Sequence, residues 1–258
     1  MKSFLSACGL SFLLFTGSAN AALTLVAHYQ LGEAGSLGTN NRPLDSSGNG
    51  HHFQSANGTI PTVSTSAAAP GSTRSLTDSG VSGFYNAAVA GTITDNFAMD
   101  IWVKTTATTQ SADIFEGNAT NNGSAKFSIT GGNWTGSYHN IAGYGGVPVV
   151  SDVWAQLSLI RYAGSTTFYV NGTQIGGASS AVPTNPALNF SAFHLSVNSG
   201  GSVGFTGNYD ELRLFTFNPA VDSLQAVRNV VFIIPEPATA SLGLLSVAGL
   251  MLRRRRVA

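Results

Sequence analysis

The sequence predicts an all-β protein: a two-sheet antiparallel sandwich with one short helix near its C-terminal end. Three observations carry that prediction. The first is the stretch 154–176, WAQLSLIRYAGSTTFYVNGTQIG, which reads as a three-strand meander. Ala155, Leu157 and Leu159 share one face of its first strand, with Gln156 and Ser158 on the other. Thr167 to Val170 alternates again, and Asn171-Gly172 follows. That dipeptide suits a type I′ hairpin turn, whose two central residues both need positive φ. The second observation is a succession of short alternating runs separated by Gly, Asn, Ser and Pro clusters. The third is composition: 258 residues, 30 of them Gly, and only 9% charged.

In chain order, residues 1–22 read as a secretory signal peptide. Lys2 precedes an apolar run at 4–15, and Ala19-Asn20-Ala21 supplies small residues for cleavage after Ala21 or Ala22. Cys8 is the single cysteine, so the exported chain would hold no disulfide. Leu5-Ser6-Ala7-Cys8 matches a lipobox in letters only, because the hydrophobic run follows it instead of preceding it. Residues 23–234 form one domain with no internal repeat. Setting aside Lys2, Glu236 and the arginines at 253–256, eleven acids face seven Lys and Arg. A mildly acidic domain without a basic stripe excludes nucleic acid as an expected partner.

Within the domain, 23–31 is a first strand and 44–50 (LDSSGNG) is a turn cluster leading to His51-His52-Phe53. Residues 54–80 read as a surface loop with one or two short strands. Phe97, Met99, Ile101 and Val103 alternate with Ala98, Asp100, Trp102 and Lys104, the pattern of a half-buried strand. Short strands are expected at 113–116 and 126–130 around an Asn/Gly loop, then at 193–197 and after 205. Asn218-Pro219 ahead of Val221, Leu224, Val227 and Val231 predicts the helix, with Asn as cap and Pro at its first position.

These features resemble a known family. The DSSGNG turn at 45–50, the strand at 97–104, Trp154 with Arg161, Tyr169-Val170-Asn171-Gly172 and Gly207-Asn208-Tyr209-Asp210-Glu211 look like laminin-G-like domains of the concanavalin A-like lectin/glucanase fold. The resemblance implies a jelly roll, a buried Trp154 and, in many members, a structural Ca²⁺. It implies no activity, since the fold hosts lectins, adhesion modules and glycosidases. The last 24 residues resemble a second signal. Pro235-Glu236-Pro237, an apolar stretch at 238–252 and four arginines at 253–256 are similar in order to the PEP-CTERM sorting signal. Fifteen apolar residues are short of the roughly 20 that span a bilayer, and the arginines would stay inside. This resemblance implies transient inner-membrane anchoring, recognition by an exosortase, and delivery to the surface or matrix of a Gram-negative bacterium.

Several residues are candidates for chemistry. Glucanases of this fold carry Glu-x-Asp-x-(x)-Glu on one strand, and no Glu here begins that motif. Asp113-Ile114-Phe115-Glu116 comes nearest, but an offset of three places two side chains on opposite faces of a regular strand. Gly200-Gly201-Ser202-Val203-Gly204 has the letters of an esterase elbow without the strand-to-helix context. Five histidines show no zinc spacing beyond His51-His52. For calcium, Asp45, Asn49 and Asp210 are the candidates. Asp210 shares parity with Leu212 and Leu214 and should point inward, where a carboxylate needs a cation or several donors. The alternative is an Asx-turn at Asp45 and backbone donors to Asp210. For a glycan, Trp134, Tyr138, His139 and Tyr144 offer aromatic faces beside a Gly-rich backbone. The alternative there is that Trp134 and Tyr138, an even offset apart, pack between the sheets. Glu211 and Arg213 read as a surface pair. The expectation is a non-catalytic surface protein that binds glycan or exopolysaccharide or mediates adhesion. A glycoside hydrolase and a purely structural matrix protein are the alternatives.

Overall fold

The structure, a computed structural model, describes residues 23–80, 82–87, 92–93, 95–117, 125–138, 146–180, 188–189, 193–196 and 204–232. In chain order its strands are β1 (Thr24–Tyr29), β2 (Phe53–Gly58), β3 (Thr62–Ser64), β4 (Ser75–Ser79), β5 (Ser82–Ala87), β6 (Thr92–Ile93) and β7 (Phe97–Lys104). They continue with β8 (Ala112–Gly117), β9 (Ala125–Thr130), β10 (Asn133–Tyr138), β11 (Gly146–Pro148), β12 (Ala155–Tyr162), β13 (Ser165–Val170) and β14 (Thr173–Ser179). The last are β15 (Leu188–Asn189), β16 (Phe193–Leu195) and β17 (Thr206–Thr216), followed by helix α1 (Leu224–Val231). The segment 54–80, expected as a surface loop with one or two short strands, holds β3 and β4 and most of β2.

Two antiparallel sheets make the sandwich. One has eight strands in the order β14-β13-β12-β7-β17-β4-β3, with β1 also paired to β17; the other runs β11-β10-β9-β8-β16-β5-β2. β4 and β1 lie end to end along one edge of β17, at 206–209 and 212–216. The predicted meander is β12-β13-β14, and its hairpin closes with Asn171 at φ 50° and Gly172 at φ 73°, the positive values a type I′ turn requires.

The inward faces are set by alternation. Phe97, Met99, Ile101 and Val103 on β7 and Leu157 and Leu159 on β12 meet Phe115, Phe127, Ile129 and Phe193 from the opposite sheet in one dry core. Gly136 on β10 is needed here, since a Cβ at that position would sit 2.4 Å from the Phe168 ring. The other face of the eight-stranded sheet is roofed by α1, which buries Val227 and Val231 on Ala98, Ile160, Tyr169 and Phe215.

The helix starts later than Asn218-Pro219 predicts. Asn218 instead opens a turn in which Val221 and Asp222 donate to its carbonyl, and Ser223 Oγ caps α1 by accepting from Ala226 N at 3.2 Å. Beneath the helix Asp100 is fully buried, and its carboxylate accepts from Arg213 Nε (3.1 Å), Arg213 Nη2 (2.5 Å) and Gln156 Nε2 (2.6 Å). Arg213 is therefore half of a buried ion pair, and the surface pair with Glu211 does not form. Among the described residues no helix is long and apolar enough to cross a membrane. Both terminal signals read from the sequence lie outside the described residues.

Candidate functional site

Strand β8 contains a bulge. Ala112 pairs with Ile129 and Asp113 with Ser128, then the register shifts so that Phe115 pairs with Phe127 and Glu116 with Lys126. The extra residue reverses the parity count along the strand. Asp113 and Glu116 stand opposite Ser128 and Lys126, two positions apart on β9, so both carboxylates belong to the same outer face. The expectation that an offset of three separates them is corrected by this bulge.

That outer face carries a continuous polar row. Cross-strand pairing aligns Tyr85 on β5, His194 on β16, Glu116 on β8, Lys126 on β9 and Ser137 on β10. A second row runs Asp113, Ser128, Thr135. The rows are tied together: Lys126 Nζ lies 2.7 Å from Asp113 Oδ1, and the Ser128 and Thr135 hydroxyls are 2.9 Å apart. His194 Nδ1 is 3.9 Å from Glu116 Oε2, and the His194 and Tyr85 rings meet edge to face at 5.0 Å. An antiparallel sheet commonly turns one solvated face outward, yet Glu116 and His194 are only 9% and 8% exposed. His194 Nδ1 is buried and makes no hydrogen bond among the described residues. Burial raises the Asp113 carboxyl above its usual range, Lys126 opposes the rise, and the Glu116 charge adds to it. The face thus offers a cation, two carboxyls, an imidazole, hydroxyls and an aromatic edge within five adjacent strands.

Asp210 lies elsewhere. β17 is also bulged, between Asp210 and Arg213, with Glu211 at φ 50°. Asp210 pairs with Trp102, which alternates away from the inter-sheet core, while Leu212 and Leu214 remain inward. The inward position predicted from parity is overturned by the extra residue. Asp210 is fully buried under the loop at 65–74, where Oδ2 accepts from Ala69 N (3.2 Å) and Oδ1 from Glu211 N (2.8 Å). Burial and the adjacent Glu211 charge push its carboxyl up to about 8. Glu211 Oε2 is 2.5 Å from His28 Nε2, and Glu211 Oε1 accepts from Ser72 Oγ at 3.3 Å. Both groups line a cleft of about 390 Å³ with Glu33 on its rim. The Glu33 carboxylate is occupied: burial pushes it up, but hydrogen bonds from Thr73 and Arg74 hold it below its usual range.

Of the residues expected to hold Ca²⁺, Asp45 is held by protein donors. Asp45 Oδ1 accepts from His28 N and Ser47 N, both at 2.9 Å; Oδ2 accepts from Ser47 Oγ (2.9 Å) and His51 N (3.0 Å). A carboxylate has about four lone-pair sites, and donors fill all of them. The Asx-turn alternative is the arrangement observed at Asp45. Asn49 spends its amide on the Leu25 and Val26 carbonyls. Among the described residues, no group of three or more His, Cys, Asp or Glu is arranged to hold a metal ion.

The aromatic glycan candidates also divide. Trp134 and Tyr138 are 2% and 0% exposed and face the inter-sheet core, Trp134 against Phe205 and Tyr138 against Phe97 and Arg161. Their even offset on unbulged β10 sends both inward, which corrects their assignment to a ligand surface. His139 and Tyr144 lie outside the described residues. Trp154, expected in the core, is half-buried and lines a cleft with Trp102.

Residues 77–218 match the family described as the concanavalin A-like lectin/glucanases superfamily. No curated protein matches the sequence. Among solved structures, the chain is similar to domain 4 of a GH43 extracellular arabinanase from Geobacillus stearothermophilus, solved with arabinotriose. That likeness has 18% identity and a TM-score of 0.49, over 77% of this chain and 96% of the other. The binding domain of Paraclostridial Mosquitocidal Protein 1 aligns at 13% identity and TM-score 0.51, over 83% of this chain and 55% of that one. Trypanosoma rangeli sialidase, solved with sialic acid, aligns at 15% and 0.50, over 81% of this chain and 33% of the sialidase. The chain thus spans about half of the toxin domain and a third of the sialidase, and identities this low establish the fold alone.

Proposed function

The chain belongs to the concanavalin A-like lectin/glucanase superfamily, and from that premise we propose that it is a non-catalytic, exported protein that binds glycan or exopolysaccharide. The observation that carries the reading is the polar row on the outer face of the seven-stranded sheet. Sugars are recognised by charged and hydroxyl groups beside aromatic surface, and Tyr85, His194, Glu116, Lys126, Asp113 and Ser128 supply that set on one rigid sheet. His194 Nδ1 faces Glu116 Oε2 at 3.9 Å and makes no hydrogen bond among the described residues.

Hydrolysis is a second reading, favoured by one specific observation: the β8 bulge puts Asp113 and Glu116 on one face. Paired carboxyl groups on one face are the tools of glycosidases. Lys126 at 2.7 Å opposes the rise that burial gives the Asp113 carboxyl without reversing it, so ionisation does not separate the two readings. Binding is preferred because no Glu here begins the Glu-x-Asp-x-(x)-Glu pattern of the glucanases. Sorting by an exosortase to the surface or matrix, with transient inner-membrane anchoring through 238–252, completes the proposal and rests on the order of motifs at the C-terminal end.

A glycan array tests the reading directly. The wild-type chain should bind at least one polysaccharide class, with His194→Ala and Lys126→Ala each weakening binding about tenfold or more. Unchanged binding in both variants, or no binding by the wild type, removes the row from the account. Release of reducing sugar that Asp113→Asn and Glu116→Gln abolish would establish hydrolysis instead.

A further inference from the structure

Trp154 stands where three connections of the eight-stranded sheet meet. β7 ends at Lys104, β12 begins at Ala155, and Asn171-Gly172 turns β13 into β14. The antiparallel register puts these three points at one end of the sandwich. The loop 148–153 reaches the same end on a fixed course, with Val149 N donating to Gly132 O and Asp152 N to Thr105 O, both at 2.9 Å. Val147 and Val149 pack on the core, whereas Val150 and Val153 are 59% and 50% exposed. Loops held by a rigid scaffold are where binding residues concentrate.

Of the three tryptophans, Trp102 and Trp134 are buried, and the half-buried Trp154 alone keeps accessible ring surface. It borders two recesses. One, of about 310 Å³, is lined by Trp154, Gln156, Asn171, Gly172 and Phe232 with the buried Trp102. The other, of about 70 Å³, sets Trp154 and Asn171 beside Val147, Pro148, Val150 and Val153. Polar groups stand at the ring. Lys104 Nζ lies 5.8 Å from its centroid and 2.8 Å from Asp152 Oδ1, and the Asp152 side chain is 68% exposed. Asn171 Oδ1 accepts from Gln156 N at 2.8 Å, which orients the side chain and leaves its amide N–H groups without a partner among the described residues.

This combination matches a sugar ring. Indole and valine surface takes the C–H face of a sugar, and a few placed polar groups fix its orientation. Sugar hydroxyls donate and accept, so they answer an ammonium, a carboxylate and an amide in turn. Lys104 and Asp152 cancel in charge, which favours a neutral residue: a uronate would meet Asp152, and an amino sugar would meet Lys104. An apolar partner would cover the valines and leave the Asn171 amide unanswered.

We propose that Trp154 is the platform of a second glycan site, which takes a neutral sugar residue with Asn171, Asp152 and Lys104 as its hydrogen-bonding rim. The site rests on the reading that this chain binds glycan, and it lies on the other sheet from the row of Tyr85, His194, Glu116 and Lys126.

The test titrates the full chain with neutral polysaccharides (a β-glucan, an arabinan and a galactomannan), a polyuronate and a deacetylated aminoglycan, followed by tryptophan fluorescence and affinity electrophoresis. At least one neutral polysaccharide should change the fluorescence of wild type and leave that of Trp154→Phe unchanged. Trp154→Ala should weaken neutral-polysaccharide binding about tenfold or more, and Asp152→Asn about threefold. Asp152→Asn alters a side chain held largely in solvent, so it keeps the test decisive where Trp154→Ala fails to fold. Wild-type affinity in both variants, alongside loss in His194→Ala and Lys126→Ala, overturns the site and leaves the glycan reading intact. Tighter Trp154-dependent binding of the polyuronate or the aminoglycan overturns the neutral class. Fluorescence that shifts with protein concentration alone makes the patch a contact between two copies and overturns the site as well. Absence of binding to every polysaccharide removes the glycan reading and this site with it.

Discussion

β8 and β17 each carry a bulge next to a pair of acids, and burial raises a carboxyl at both, in different electrostatic surroundings. In β8 the extra residue turns Asp113 and Glu116 to one outer face, where Lys126 is 2.7 Å from Asp113. In β17 it leaves Asp210 fully buried with two backbone donors and Glu211 as its neighbour, and the carboxyl rises to about 8. The same backbone device thus raises both carboxyls by burial, with a lysine opposing the rise on β8 and backbone donors alone beside Glu211 on β17. The bulge re-aims the side chain, and the side chains already waiting there decide its charge. On β17 the bulge has a further effect beyond Asp210, since it brings Arg213 opposite Asp100.

The largest expected effect follows from that last pairing. Arg213→Ala leaves Asp100 with a single Gln156 donor in a site without solvent, and should cost roughly 3–5 kcal/mol in urea unfolding. Replacing both partners, Asp100→Leu with Arg213→Met, should recover most of the loss. A loss under about 1 kcal/mol for the single variant would mean that the buried pair does not form.

Asp210 gives the next effect, and its sign is opposite to that of a salt-bridged acid. A carboxyl whose folded pKa lies above its unfolded value of 3.8 takes up a proton on folding. Its contribution is complete below about pH 4 and is lost as pH rises toward about 8, at up to ~1.4 kcal/mol per pH unit. Asp45 and Glu33 are held below their usual range and run the other way, losing stability as pH falls through the carboxylate range. The readout is therefore the difference between wild type and Asp210→Asn. The variant should gain stability relative to wild type between pH 4 and pH 8, and parallel melting curves across that range would contradict the assignment.

Lys126→Met should cost less, no more than ~1 kcal/mol, because its partly exposed ion pair is screened by water. Its effect on Asp113 should be clearer by NMR titration, with the carboxyl moving further up once the cation is gone. The smallest effect expected is that of EDTA. With the Asp45 lone pairs filled by four protein donors, chelation should leave the melting temperature unchanged. A drop that calcium reverses would return the turn at 45–50 to the role of an ion site.

Regular strands were legible from alternation alone. β7 and β12 send inward the residues their parity predicts, and the Asn171-Gly172 hairpin closes as its φ requirements demand. Trp134 and Tyr138 obey the same parity on unbulged β10, which is why they end in the core and not at a ligand surface. The outer-face site was illegible for a matching reason. Asp113 with Glu116, and Asp210 with Leu212, are pairs whose relative orientation depends on a residue that leaves the ladder, and nothing in the local alternation marks it. Trp154 was expected in the core and is half-buried, since a half-buried indole and an indole in a core share one sequence pattern.

The sequence by itself determined that this chain is a sandwich, where its main hairpin turns, and which side of each regular strand is apolar. A period of two and the φ demands of Asn-Gly are local properties, and they hold whatever the strand pairs with. The tertiary structure alone decided that acids three apart share a face, that Arg213 answers Asp100 and not Glu211, and that α1 ends over two indoles. Those outcomes depend on which strand lies alongside and in what register, and a bulge is a property of the pair, not of either strand alone.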